Sequence, residues 1–147
     1  MQNKLVKIIV LIVIVVIIVL MVIIKNQSNQ YSTTNFFDLN VNENFDKNDY
    51  LNKGYPVLLD IGGGQCSSCK VMAPVLEKLN NQLKQKAVIK FIDYWKYSHL
   101  ASQFDFKVIP TQFFYDEQGN LFKVHEGIIT EDGILEIFKE MGYDFYE

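Results

Sequence analysis

Seventeen consecutive apolar residues, at positions 8–24, set the first part of this 147-residue chain apart from the rest. The run contains no glycine, proline or charge. As a helix it would be roughly 26 Å long, close to the thickness of a bilayer core. A cleaved signal peptide has a shorter apolar region, followed by small residues at a cleavage site. The sequence Lys-Asn-Gln-Ser at positions 25–28 lacks such a site, so we expect an uncleaved transmembrane anchor.

The charges on either side of the run predict its orientation. Lys4 and Lys7 precede it, and Lys25 follows it. Positive charge tends to stay on the cytoplasmic side of a membrane. We therefore expect residues 1–7 to be cytoplasmic, residues 8–24 to lie in the cell membrane, and the rest of the chain to be extracytoplasmic.

The remaining sequence predicts a tether and one domain. Residues 25–35 are polar and aperiodic, which is typical of a short tether. Residues 36–147 have the length of one ordinary domain. All 17 acidic residues but only 11 of the 14 lysines follow position 25. Such an acidic domain argues against nucleic acid as a partner.

Hydrophobic periodicity and turn signals predict alternating strands and helices in the domain. The predicted strands are residues 36–41, 56–61, 87–93, 111–115 and 121–125. The predicted helices are residues 45–53, a helix that begins at Cys66, residues 98–106 and residues 130–141. Alternation favours parallel strands, and the hairpin at 111–125 adds antiparallel ones. We expect an α/β fold with a mixed central sheet and helices on both faces.

Cys66 and Cys69 are the two cysteines of the chain, and they follow a glycine-rich loop between a predicted strand and helix. At a helix N-terminus, free backbone N–H groups and the helix dipole stabilise a thiolate on Cys66. Cys69 lies one turn further on the same side, where it can attack a mixed disulfide. The pattern indicates a redox couple.

Two other roles for the cysteines are possible from the residues alone. A zinc site normally needs four ligands, and the other candidates, His99 and His125, are isolated in the sequence. A purely structural disulfide would close a very short loop and would therefore stabilise the fold little. Both alternatives are weaker than the redox couple, and we predict no metal site.

Motifs beyond the cysteines resemble the thioredoxin family over roughly residues 36–142. An aspartate lies six residues before the first cysteine, a Cys-x-x-Cys-Lys-x-x-x-Pro motif follows, and Ile-Pro-Thr and a late glycine complete the pattern. The matching positions are Asp60, Cys66, Cys69, Lys70, Pro74, Ile109, Pro110, Thr111 and Gly127. The resemblance implies a thioredoxin fold after the N-terminal helix.

The resemblance also implies catalytic roles. Cys66 would be the nucleophile and Cys69 the resolving thiol. Asp60 would accept the Cys69 proton, because burial in an apolar strand raises the pKa of a carboxyl group toward neutrality. The alternative for Asp60 is a hydrogen-bonded structural residue at the end of its strand. The redox-active disulfide would serve in place of any cofactor.

Three further residues are expected to contact substrate by the same resemblance. The family's proline before Thr111 is cis and faces the cysteines. This would leave the backbone of Ile109, which precedes Pro110, free to pair with a substrate strand. Gln65 precedes Cys66, where the family usually has tryptophan.

Several positions depart from the family pattern. Glycine replaces an upstream aromatic residue, and Ser67 and Ser68 replace the Gly-Pro pair between the cysteines. The reduction potential that is typical of the family therefore cannot be assigned to the Cys66–Cys69 pair. The family's lysine beside the buried aspartate has no secure equivalent here: Lys90 is nearby, and Phe91 is the other candidate for its place.

We therefore predict a membrane-anchored thiol–disulfide oxidoreductase that reduces protein disulfides outside the cytoplasm. Leu-Asp-Ile-Gly, Val-Ile-Pro-Thr-Gln and His-Glu-Gly resemble bacterial thioredoxin-like proteins that work with CcdA/DsbD-type membrane electron carriers. Such a carrier is the predicted electron donor. The alternatives are a maturation factor for cytochrome c or a metallocofactor, and a non-catalytic interaction module with a structural disulfide.

Overall fold

A long helix, α1 (Gln2–Asn35), forms the first part of the chain in the structure, a computed structural model that describes residues 2–146. Side chains are described for residues 4, 6–21 and 36–146. The helix continues through residues 25–35, where the sequence predicts an aperiodic tether. The role of these residues as a tether stays a prediction.

The predicted membrane anchor falls within α1. Among the described helices, none meets the requirements of length and apolar character for spanning a membrane. The anchor at residues 8–24 is therefore not confirmed. Contacts divide the chain into two compact units, Met1–Asn35 and Phe36–Glu147.

The second unit alternates strands and helices in the order that the sequence predicts. Its elements are β1 (Val57–Gly62), α2 (Ser67–Gln82), β2 (Val88–Asp93), α3 (Ser98–Ala101), β3 (Thr111–Tyr115), β4 (Leu121–Glu126) and α4 (Glu131–Glu140). Every residue of β1 and β3 is buried, as expected for strands covered on both faces. Thr130 caps α4 by accepting the N–H of Gly133 on its side chain.

The four strands form one sheet in the order β2-β1-β3-β4. β1 is parallel to β2 and antiparallel to β3, and β3 and β4 form an antiparallel hairpin. This register places Asp60 of β1 between Phe91 of β2 and Gln112 of β3. The prediction of a mixed sheet is confirmed.

Helices cover both faces of the sheet. On one face, Leu58, Ile89 and Phe114 pack with apolar residues of α2 and α4. On the other face, the odd-numbered positions of β1 pack with α3 and with the segment before β1. Because side chains alternate along a strand, Asp60 belongs to the α2 face of the sheet.

Three predicted elements differ in the structure. The predicted strand at 36–41 is reduced to one parallel bridge, from Asn40 to Phe91. The Asn42 side chain accepts the N–H of Asn44 and turns the chain away from the sheet. The predicted helix at 45–53 is only a 3₁₀ turn, Lys47–Asp49.

The backbone shows where this turn begins and where helical conformation stops. The Asp46 side chain caps the turn by accepting the N–H of Asn48, and Asn52 adopts a positive φ of 56°, which does not continue a helix. The predicted helix at 98–106 is likewise shortened to the four residues of α3.

Candidate active site at the cysteine pair

Cys66 and Cys69 form a disulfide where the loop after β1 enters α2. Cys66 is the N-cap residue of α2, and its Sγ accepts the N–H of Cys69 at 3.2 Å. Cys69 is only 4% exposed, whereas Cys66 is partly exposed. An external thiol or disulfide can therefore reach Cys66 more easily than Cys69.

The surroundings of Cys66 favour a thiolate. The Oγ of Ser68 lies 3.1 Å from the Cys66 Sγ, and in the disulfide only the hydroxyl can donate. The Ser68 hydroxyl and the Cys69 N–H are placed to stabilise a negative sulfur once the disulfide is reduced. Both donors lie in the first turn of α2, where the helix dipole adds to the effect.

Asp60 is fully buried on the α2 face of the sheet. Its Oδ1 accepts a hydrogen bond from Nε2 of Gln112 at 2.6 Å. Burial raises the pKa of Asp60 from 3.8 to about 7, against a smaller lowering by the Gln112 hydrogen bond. Asp60 therefore exchanges a proton in the neutral range of pH.

The second carboxylate oxygen of Asp60 lies close to Gly62. In the described part of the chain, this Oδ2 has no hydrogen-bond partner although it is buried. A Cβ placed on Gly62 would lie 3.3 Å from Oδ2 of Asp60 and 3.4 Å from Cβ of Cys69. Asp60 and Cys69 therefore both border Gly62, together with the Phe91 ring, whose Cε2 would lie 2.7 Å from the same Cβ. The transfer of a proton from Cys69 to Asp60 stays a prediction.

Phe91, not Lys90, shares the face of Asp60. Phe91 is the Cα partner of Asp60, whereas Lys90 is opposite Leu59 and points to the other face. There the Lys90 ammonium donates to the carbonyl of Asp38 and lies over the Tyr50 ring. A phenyl ring beside the carboxyl group adds to its desolvation, which agrees with the raised pKa of Asp60.

The loop before β3 approaches the cysteines from the opposite side. The Ile109–Pro110 peptide bond is cis, as the family resemblance implies. The Ile109 carbonyl oxygen lies 3.8 Å from Sγ of Cys66. Thr111 closes the loop by donating from Oγ1 to the Val108 carbonyl at 2.7 Å.

Comparison with known proteins agrees with this arrangement. The family model described as Thioredoxin matches residues 25–140. The chain belongs to the thioredoxin family. Membership in this family, together with the Cys66–Cys69 pair, supports thiol–disulfide oxidoreductase activity.

Individual thioredoxins are similar over part of the chain. Thioredoxin Y2 of Arabidopsis thaliana, a chloroplastic protein, is 31% identical over 85 residues, which cover 58% of this chain and 50% of that protein. Thioredoxin C-2 of Corynebacterium nephridii is 37% identical over 70 residues, or 48% of this chain and 64% of that protein. A thioredoxin-like protein of Synechocystis is 34% identical over 73 residues, or 50% and 69%. The chain thus spans about half to two thirds of the length of these relatives.

The structure brings most of the predicted site residues together. Cys66 is bonded to Cys69 and lies 3.8 Å from the Ile109 carbonyl, and Pro110 follows Ile109 directly. Asp60 borders Gly62, as Cys69 does. Gln65 is exposed beside Cys66, and no described contact joins its side chain to the others. The substrate-binding roles of Gln65, Ile109 and Pro110 stay predictions.

Gln112 is a residue of this thioredoxin site that the sequence does not single out. It is fully buried, and its Oε1, like Oδ2 of Asp60, lacks a hydrogen-bond partner among the described residues. One signal was available, since Gln112 is a large polar residue inside an apolar strand. Its partner is evident only from the register of β1 and β3, which places it opposite Asp60.

The histidines remain apart from the cysteines. In the described part of the chain, no group of three or more His, Cys, Asp or Glu side chains is arranged to hold a metal ion. Nε2 of His125 lies 3.4 Å from the carbonyl of Ile128, and His99 is exposed on α3. The absence of a metal cofactor stays a prediction.

Proposed function

We propose that this thioredoxin-family protein is an oxidoreductase that reduces disulfide bonds in other proteins. The observation that carries the proposal is the asymmetric cysteine pair at the start of α2. Cys66 is partly exposed and lies 3.8 Å from the Ile109 carbonyl, whereas Cys69 is buried and borders Gly62, as Asp60 does. The Cys66 sulfur is thus placed to attack the disulfide of another protein, the client, and the Cys69 sulfur is placed to release that client from Cys66.

The first step uses the Cys66 thiolate of the reduced protein. It attacks one sulfur of the client disulfide, so that the client S–S bond breaks and a mixed disulfide forms between Cys66 and the client. The other client sulfur leaves as a thiolate and takes a proton from solvent. Ser68 and the Cys69 N–H stabilise the attacking thiolate before this step.

The second step releases the client. Cys69 gives its proton to the Asp60 carboxylate, and the Cys69 sulfur attacks Sγ of Cys66. The mixed disulfide breaks, the Cys66–Cys69 disulfide forms, and the second client sulfur leaves as a thiolate that is then protonated. Two electrons pass from the protein to the client in the complete cycle.

A reductant must return the pair to the dithiol form. We propose that a membrane electron carrier of the CcdA/DsbD type supplies these electrons, and that the domain works outside the cytoplasm on a membrane anchor at residues 8–24. The apolar run and the lysines that precede it support this arrangement. The short sequences around Asp60, Pro110 and Gly127 support the choice of carrier.

Reduction of insulin by dithiothreitol tests the proposed activity. The protein should accelerate precipitation of the insulin B chain, and Cys66→Ser should abolish the acceleration. Cys69→Ser should accumulate a mixed disulfide with insulin, because attack survives while release is lost. No acceleration by the parent protein would favour a non-catalytic module with an inert disulfide. Equal trapping by both variants would mean that the nucleophile is wrongly assigned.

A further inference from the structure

The Phe91 ring occupies the space beside Gly62, and the proposed steps of the reaction do not use it. A Cβ on Gly62 would lie 2.7 Å from Cε2 of Phe91, 3.3 Å from Oδ2 of Asp60 and 3.4 Å from Cβ of Cys69. The ring therefore fills the room that a side chain at position 62 would need. An aromatic ring, a carboxylate oxygen and a cysteine thus surround one point.

The backbone of Phe91 is held by the segment that precedes β1. The N–H of Phe91 donates to the carbonyl of Leu39 at 2.7 Å, and the Phe91 carbonyl accepts the N–H of Val41 at 3.3 Å. These bonds belong to the bridge between Asn40 and Phe91 at the edge of β2. The side chain packs against the core on the α2 face. Hydrogen bonds and core packing together fix the ring beside Gly62.

Phe91 is only partly buried, whereas its neighbours Asp60 and Gln112 are fully buried. It also borders a surface cavity at the edge of β2, together with Asn40 and Val41. Solvent thus reaches one side of this residue, and the other side meets Gly62. Removal of the ring would open a way from the edge of the sheet toward the Asp60 carboxyl group.

Neighbouring charges in the described part of the chain do not explain the protonation of Asp60. Lys90 points to the other face of the sheet, and Lys70 of α2 is exposed. The Asp93 carboxylate accepts three backbone N–H groups of the adjoining loops. His125 lies on the same face as Asp60 but two strands away. Burial is the main cause of the raised pKa of Asp60, so the groups that exclude water from it matter most.

We infer that Phe91 is a positioning residue for the proton transfer from Cys69 to Asp60. Its ring keeps solvent out of the space beside Gly62, so that the proton of the Cys69 thiol passes to the Asp60 carboxylate. The S–H bond of Cys69 breaks and an O–H bond forms on Asp60, and no other reactant takes part. The inference rests on the proposed function, and it adds a residue to the second step of that reaction.

The pH dependence of client release tests the inference. In the parent, release from a preformed mixed disulfide, measured by stopped flow, should follow the ionisation of Asp60. Phe91→Ala lets water reach the carboxylate, so the midpoint of the profile should move by about one unit to lower pH. The rate above the midpoint should fall about three- to tenfold, because a less basic carboxylate accepts the proton more slowly. Phe91→Leu keeps an apolar cover and should retain most of the parent profile.

Two further comparisons show whether the ring acts through Asp60. In an Asp60→Asn background, Phe91→Ala should cause no shift of the midpoint to lower pH, because the carboxylate is absent. Phe37→Ala is the matched control. Phe37 is also a partly buried ring, and it packs against Tyr55 in the cluster on the other face of the sheet. Its removal should leave the parent profile in place.

Alkylation of Cys69 gives a readout that does not depend on turnover. In Cys66→Ser, Cys69 is the one remaining cysteine of the chain. Iodoacetamide should modify it several-fold faster when Phe91→Ala is added, with rates compared at the pH plateau where the thiol is fully ionised. If Phe91→Ala does not fold, Phe91→Thr suits a strand and opens the same space, and it should move both readouts in the same direction.

The outcomes are distinguishable. If the parent reduces no client disulfide, the proposed function is wrong. If the parent is active but Phe91→Ala keeps both the pH profile and the alkylation rate of Cys69, the ring does not exclude water, and the inference is overturned while the function stands. An equal shift in the Asp60→Asn background would also overturn it, since Phe91 would then not act through Asp60.

Discussion

At the scale of single residues, Asp60 places a carboxyl group in the core. Its burial lowers the stability of the fold by an amount that depends on pH. The folded protein holds the Asp60 proton up to about pH 7, whereas the ordinary pKa of the side chain is 3.8. Stability should therefore fall as the pH rises from about 4 to about 7, and it should stay lower above that range.

Asp60→Asn should remove this dependence. The variant keeps an oxygen that can accept from Gln112 and has nearly the same volume. We expect its free energy of unfolding at pH 8 to exceed that of the parent by roughly 2–4 kcal/mol, with little difference at pH 4. Denaturant unfolding of the disulfide form at the two pH values measures the effect. The exposed Asp105→Asn is the control, and equal gains at both pH values would contradict the raised pKa of Asp60.

The same substitution should slow the release of clients. Without a carboxylate, Cys69 loses its proton directly to water, so the second step should be about tenfold or more slower near pH 7. Stopped-flow measurement of client thiol release from a preformed mixed disulfide isolates this step. A rate equal to that of the parent from pH 6 to pH 8 would leave Asp60 with a structural role only.

Gln112 affects the pKa of the carboxyl group that it contacts. Its hydrogen bond lowers the pKa of Asp60, in opposition to burial. Gln112→Leu should therefore raise the pKa of Asp60 further and move the pH dependence of client release to higher pH. Loss of the unpartnered Oε1 should limit the cost in stability. A profile that stays in place or moves to lower pH would show that Gln112 does not act through Asp60.

At the scale of elements, the first turn of α2 controls the nucleophile. Ser68 lies 3.1 Å from Sγ of Cys66, in the position that proline takes in the usual family motif. Ser68→Ala removes this donor and should raise the pKa of the Cys66 thiol. The rate of alkylation of the reduced protein by iodoacetamide at pH 7 should fall about three- to tenfold. Ser67→Ala, one residue earlier, is the matched control, and equal effects of the two changes would contradict a specific role of the Ser68 hydroxyl.

The elements around the site could be predicted because each carries a strong local signal. The apolar run before the glycines, the helical periodicity after Cys66, and the Gly119 turn between two apolar strands are all evident in the sequence. Residues 36–53 lack such a signal, because their side chains make local hydrogen bonds and an aromatic cluster that depends on the folded sheet. Contacts between elements could not be predicted from the sequence either. Examples are the pairing of Gln112 with Asp60 and the packing of Trp95 on Gly63.

At the scale of the whole molecule, the proposed membrane anchor decides which clients and reductants the domain can meet. The apolar residues of α1 from Val6 to Met21 are each about half exposed or more. If residues 8–24 lie in a bilayer, the protein should stay in the membrane fraction after extraction with alkaline carbonate. Recovery in the soluble fraction would contradict the anchor.

Labelling of introduced cysteines then tests the orientation of the anchored chain. In a background of Cys66→Ser and Cys69→Ser, Ser32→Cys should react with a membrane-impermeant maleimide in intact cells, because the positive charges at Lys4 and Lys7 favour a cytoplasmic N-terminus. Asn3→Cys, on the other side of the apolar run, is the control and should react only after lysis. The reverse pattern would place the cysteine pair in the cytoplasm. There it would meet soluble reductants, and a membrane carrier would not be needed to supply its electrons.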